Sequence, residues 1–183
     1  MRLLFIHGAE GYESDRSMAE PLASALGASL DYPEFTDSDM SVDGWATPMM
    51  ELLAGLAPDD VVAAHSYGAS MLLHALARTD AQVAVAQPRD APLRVALLGM
   101  PNWGSAGWDY ADYNFTGPEP LASLVLQHCR DDEVVPFEHL GLNVAVLPSA
   151  TVLVHEVGGH QFDGLAASIA ESIRGRSAFI NRP

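Results

Sequence analysis

Ser66 stands in the run VVAAHSYGAS, residues 61 to 70, between small or β-branched apolar residues and a helix-compatible stretch. A serine hydroxyl becomes a nucleophile only when a base takes its proton, and that base needs a partner to orient it and stabilise its charge. Where such a serine sits on a sharp strand-to-helix turn, the residues two before and two after it must be small, because backbone segments nearly collide there. Ala64 and Gly68 occupy those positions. Alanine for the usual glycine adds one methyl group, so AHSYG is compatible with a nucleophile elbow. A helix beginning near Ser66 would also turn its N-terminal amides and positive dipole end toward a developing oxyanion.

The partners should follow in the order acid, then histidine. HCRDDEVVPFEH, starting at His128, resembles the HGxxDxxVP pattern found after the corresponding strand of α/β-hydrolases, with Cys129 in place of its glycine. That register places Asp132 at the acid position. Asp131 is the adjacent alternative, since neighbouring residues leaving a strand point in different directions and only one can support a histidine. In VHEVGGHQF, His160 lies on the loop before the last predicted helix and is the candidate base, whereas His155 falls inside a predicted strand. The two histidines are five apart with two glycines between, unlike the i, i+4 pair of a zinc protease helix, so no metal is expected. Gly8 and Gly11 lack the following lysine of a phosphate loop, and the chain has no lysine at all, so no phosphate loop is expected either. Two amides could form the oxyanion hole: that of Tyr67, after the serine, and that of Ala9, in the loop after the first strand.

These residues need a frame that brings strand ends together. Short apolar runs alternate with longer segments of helical spacing, the pattern of a parallel sheet covered on both faces. Strands are predicted at Leu3–Ile6, Ala28–Tyr32, Val61–Ala64, Leu93–Gly99, Ser123–His128 and Thr151–Glu156. Helices are predicted from about Ser17 to Leu26, then at Val42–Leu56, Ser66–Arg78, Pro136–Leu147 and Leu165–Ile173. The first should open with a Ser17/Glu20 capping box, hold Pro21 near its first turn and stop at Gly27. Trp45 belongs with the core. Residues 100 to 120, MPNWGSAGWDYADYNFTGPEP, form an irregular excursion rich in aromatics. Tyr12, Trp103, Trp108, Tyr110 and Phe115 could line an acyl pocket or form the core of a small cap.

The chain of 183 residues fits one domain, and 49% hydrophobic against 18% charged residues marks it as globular. A net charge of −15 opposes binding to phosphate backbones and anionic membranes, so neither nucleic acid nor membrane is an expected partner. One cysteine, Cys129, suits a reducing compartment. The apolar start MRLLFI stops at His7-Gly8, short of the ~7 to 15 residues of a signal core, so the cytoplasm is expected.

Together FIHGAEG, AHSYGAS, HCRDDEVVPFEH and GGHQF resemble an α/β-hydrolase. The short length and the segment PEFTDSDMSVDGW are similar to the small serine-hydrolase family that includes retinoblastoma-binding-protein-like and bacterial YdeN-type proteins. That resemblance implies an α/β three-layer sandwich of about six mostly parallel strands. It also implies a Ser66, Asp132, His160 triad. The activity expected is hydrolysis of a small carboxylic ester, thioester or amide without cofactor, the substrate being a small acyl compound. The contrasting expectation is an interaction protein on the same scaffold with little turnover, since fold alone does not fix function.

Overall fold

The computed structural model describes residues 1–83 and 91–175. Six strands form a single sheet: β1 (Arg2–Ile6), β2 (Ser29–Asp31), β3 (Val61–His65), β4 (Arg94–Leu98), β5 (Ser123–Cys129) and β6 (Thr151–His155). Every pairing is parallel and the order is β2-β1-β3-β4-β5-β6. Among the described residues four α-helices lie between strands, α1 (Arg16–Leu26), α2 (Val42–Ala54), α3 (Ser66–Val83) and α4 (Glu138–Val146), and α5 (Ala166–Ile173) follows β6. The predicted elements all appear, with ends shifted by a few residues.

The strands explain their own composition. Leu4, Ile6, Val62 and Ala64 point to one face, against Trp45 and Met49 of α2, Met71 and Leu72 of α3 and Leu140 of α4. Leu3, Phe5, Val61 and Ala63 point to the other, against Met18 and Leu22 of α1 and Ile169 of α5. Because side chains alternate along a strand and both faces are covered, a β-branched run with no polar interruption is what a central parallel strand requires. Trp45 is fully buried, as expected.

The start of α1 departs from the sequence expectation. Asp15, not Ser17, is its N-cap residue, and no side chain caps it. The Asp15 carboxylate is engaged elsewhere, by the Gly8 amide and by His65. Ser17 Oγ donates back to Ser14 O, and Glu20 faces Arg16 across an exposed 3.6 Å ion pair. With the helix starting at Arg16, Pro21 lies inside it instead of in its first turn. Gly27 closes the helix at φ 61°, the left-handed conformation that glycine adopts without cost.

After β1 the chain turns to β2 on one side, and after α2 it enters β3 on the other. In open parallel sheets such a reversal leaves a crevice at the carboxyl ends of the strands. Here it opens between the loop after β1 and the start of α3. No helix among the described residues is long and apolar enough to cross a membrane.

Candidate active site

Ser66 follows β3 directly and opens α3, with φ at +53°. A non-glycine residue in the left-handed region is uncommon, and here it turns the serine away from the C-terminal end of β3. The glycine two residues on is obligatory: a Cβ on Gly68 would lie 2.1 Å from His7 O and 2.9 Å from Ile6 Cγ2. Ala64, two residues before, is fully buried in the core on the α2–α3 face, which accommodates its methyl group. The turn therefore demands smallness asymmetrically, and alanine is tolerated on the strand side only.

The two aspartates after β5 separate cleanly. Asp132 Oδ1 and Oδ2 lie 3.0 and 2.9 Å from His160 Nδ1. The Val134 and Val135 amides donate to Oδ1 at 2.9 and 2.8 Å. Burial works against the charge on Asp132, but the His160 hydrogen bond and these amides prevail and hold its carboxyl below the usual range. Asp131 instead accepts the amides of Gly158 and Gly159 at 3.2 and 2.9 Å, and Glu133 accepts the His160 amide at 3.3 Å. So Asp132 holds the ring of His160, while Asp131 and Glu133 hold the loop that carries it.

A carboxylate can only accept, so His160 Nδ1 donates to Asp132, and Nε2 is the ring nitrogen left to act as a base. Ser66 and His160 line the same cavity, of about 370 Å³, with Ala9 and Tyr67. The amides flanking Ala9 are committed: Gly8 N–H to Asp15 Oδ2 at 2.8 Å, and Glu10 N–H to Asp37 Oδ1 at 2.9 Å. The Ala9 amide has no partner among the described residues.

Neither a protein-family model nor a curated protein sequence matches the chain. Solved structures do resemble it. The ydeN gene product of B. subtilis superposes with a TM-score of 0.71 at 14% identity, over 95% of this chain and 98% of that one. Mouse alpha/beta hydrolase domain-containing protein 10 gives 0.65 at 16%, over 96% and 90%. Est1E from Butyrivibrio proteoclasticus gives 0.64 at 14%, over 94% and 85%. The chain has the α/β-hydrolase fold.

Within that α/β-hydrolase framework the 100–120 segment roofs the cavity. Trp103 and Trp108 line it; Tyr113, Met40, Val134 and Gln161, which the sequence did not single out, line it too. Trp103 is tied down by its Nε1–H to Ser70 Oγ at 2.9 Å and packs edge-on against Trp108, Tyr113 and Tyr67. Asn102 anchors the segment to α4, its amide donating to His139 Nδ1 and its side chain to Asn143. The remaining aromatics lie outside the lining. Tyr12 stacks on Tyr32 at 5.2 Å, and Tyr110, 48% exposed, packs on Tyr113. Phe115 meets His74 and borders a gap of only about 20 Å³ behind Trp103.

The Tyr67 ring is buried and its hydroxyl donates to Met40 O, so it forms cavity wall. Gly99, read as the last residue of the fourth strand, directly follows β4 at φ +55°. A Cβ there would lie 3.3 Å from Asp132 Oδ2 and 3.4 Å from the His160 ring. Only a glycine before the excursion hinted at this clearance. Cys129 is buried, and burial together with the neighbouring acids pushes its thiol up to about 12, which removes it as a nucleophile. Of the HEVGGH histidines, His155 bonds Gln127 Oε1 from within β6, apart from the His160 pair.

Proposed function

We propose that the chain is a serine hydrolase acting on a small carboxylic ester through an acyl-enzyme. In this reading Ser66 attacks the carbonyl, His160 Nε2 takes the serine proton and returns it to the leaving alcohol, and Asp132 orients the imidazole and balances its charge. The amides of Tyr67 and Ala9 hold the oxyanion, each stabilising the transition state by about 3 kcal/mol. Water then repeats the sequence to release the acid. Trp103, Trp108 and Tyr113 take the acyl or alcohol group.

The observation that carries the reading is how His160 is bonded, with Nδ1 2.9 Å from Asp132 Oδ2. Its Nδ1–H is committed to Asp132, so the basic nitrogen is Nε2, and the ring shares its cavity with a serine in left-handed backbone. The α/β-hydrolase fold shared with the solved structures is consistent with it.

The test is covalent labelling with a fluorophosphonate, repeated on Ser66→Ala. The wild type should label and the variant should not. A wild type that stays unlabelled, or a variant that labels equally, sinks the proposal and favours an interaction protein. A matched series of aryl ester, thioester and anilide of one acyl group then ranks the leaving groups, with the ester expected to turn over fastest.

A further inference from the structure

His65, one residue before Ser66, makes a second buried pair with an aspartate. Its side chain and that of Asp15 are each 2% exposed. Both ring nitrogens meet acceptors. Nδ1 lies 2.8 Å from Asp15 Oδ2, and Nε2 lies 2.9 Å from the backbone carbonyl oxygen of His160. A carbonyl has no hydrogen to give, so the hydrogen of that second bond sits on Nε2. Asp15 Oδ2 also accepts the Gly8 amide at 2.8 Å; burial opposes its charge, but the bonds from His65 and Gly8 hold the carboxyl below the usual range, so the hydrogen of the first bond belongs to Nδ1.

No other described histidine meets acceptors at both ring nitrogens. His7 Nδ1 faces Gly8 O while its Nε2 accepts the Phe35 amide. His139 accepts the Asn102 amide on Nδ1, and His160 bonds Asp132 through Nδ1 alone. His65 differs because donors are demanded of both its nitrogens.

We infer that His65 is held as an imidazolium neutralised by Asp15, and that it is a positioning residue, stapling the backbone at His160 to the strand that carries Ser66. Burying such a pair is tolerable only where every hydrogen-bonding group is met. Here both ring hydrogens and Asp15 Oδ2 have partners, with Ser14 Oγ 3.4 Å from Oδ1. The groups facing the ring are Asp15 from the start of α1, the His160 ring at 4.4 Å with Asp132 behind it, and the uncharged edge of Phe162 at 6.4 Å. The staple joins the end of β3 to the loop after β6, which meet only in the folded chain, since His65 and His160 are 95 residues apart. Its part in catalysis rests on the proposed roles of Ser66 and His160; its protonation state does not.

The protonation state is read by proton–nitrogen NMR of the histidine rings in the full chain at neutral pH, with His65 assigned by the loss of its signals in His65→Gln. Hydrogens on both ring nitrogens are expected. Asp15→Asn, whose amide can donate to Nδ1, should leave one hydrogen, on Nε2. A bare ring nitrogen on wild-type His65 overturns the inference, whatever the protein hydrolyses.

Positioning is read from kcat and KM on an aryl ester. His65→Leu should lower kcat by on the order of 100-fold with KM little changed, because a general base displaced by about 1 Å loses that much. His65→Gln, which can still donate to the His160 carbonyl, should recover about tenfold of the loss. A His65→Leu protein with wild-type kcat overturns the staple. Failure of the wild type to label with fluorophosphonate would overturn the positioning half together with the Ser66 reading, while the ring protonation would stand on its own measurement.

Discussion

The cavity has a polar floor and an aromatic roof, and the two are held by different means. On the floor, backbone conformation and hydrogen bonds to backbone atoms set the positions. Ser66 is turned out by its φ of +53°, Asp132 is gripped by two amides, and the His160 loop is held by Asp131, Glu133 and His65. On the roof, ring edges pack on ring edges around Trp103, with side-chain anchors to Ser70 and α4. Backbone at strand ends cannot shift without moving the sheet, whereas packed rings can re-sort. The floor is therefore suited to chemistry that fails with a small displacement, and the roof to selecting what enters.

The strongest way to break this contrast is at the floor's reacting groups. Ser66→Ala and His160→Ala should each lower kcat for an aryl ester by about 10⁶-fold, and the double variant should fall no further, because groups acting as a unit are not additive. Additive losses would mean that the two residues do not share a step. Next, Asp132→Asn should cost about 10⁴-fold in kcat by unsettling the His160 tautomer. Asp131→Asn, which weakens only the grip on Gly158 and Gly159, should cost about tenfold or less. Equal losses would show that loop placement and ring placement are not separate tasks.

Gly68→Ala tests the floor's rigidity, since the added methyl would lie 2.1 Å from His7 O. A loss of about 3 kcal/mol in chemical denaturation is expected, against about 1 kcal/mol or less for Ala64→Gly. On the roof, Trp103→Ala should raise KM for a long-chain ester about tenfold while leaving kcat for an acetyl ester within about threefold, and Trp108→Ala should do less. Trp108 is already 41% exposed. A large kcat effect at Trp103 would blur the division between the two surfaces.

The smallest effect is one of pH. The Asp132 carboxyl is held below its ordinary value, so the stability it contributes is complete above the unfolded-state value of about 3.9 and lost as the pH falls through the lower folded-state value. Stability measured by denaturant across that acid range should fall less steeply in Asp132→Asn than in the wild type.

Much of the floor was legible because it is written locally. The AHSYG turn, the strand runs and the GGHQ loop each carry their meaning within a few residues, since a strand's alternation and an elbow's crowding are short-range demands. The roof was only half legible. Trp103 and Trp108 face the cavity, but Tyr12, Tyr110 and Phe115 lie outside it and Tyr113 takes a place on it. Aromatic content identifies a packed segment, yet the direction of each ring follows from contacts with α3 and α4 that lie far off in sequence. The capping box at Ser17 failed for a related reason. Asp15 is drawn to Gly8 and His65, so local capping gives way to a long-range bond.

By itself the sequence determined a parallel α/β sheet, a small-residue turn around Ser66, and an acid and a histidine in an order suited to general-base chemistry, because those features depend on periodicity, residue size and chain order. Only the tertiary structure decided that Asp132 and not Asp131 meets His160, that Gly99 clears their space, and that His65 and Asp15 form a second buried pair. Each of these depends on which atoms converge from strands distant in the chain. Hydrogen-bond direction and contact distance settle that, and neither exists until β3, β4, β5 and the loop after β6 stand side by side.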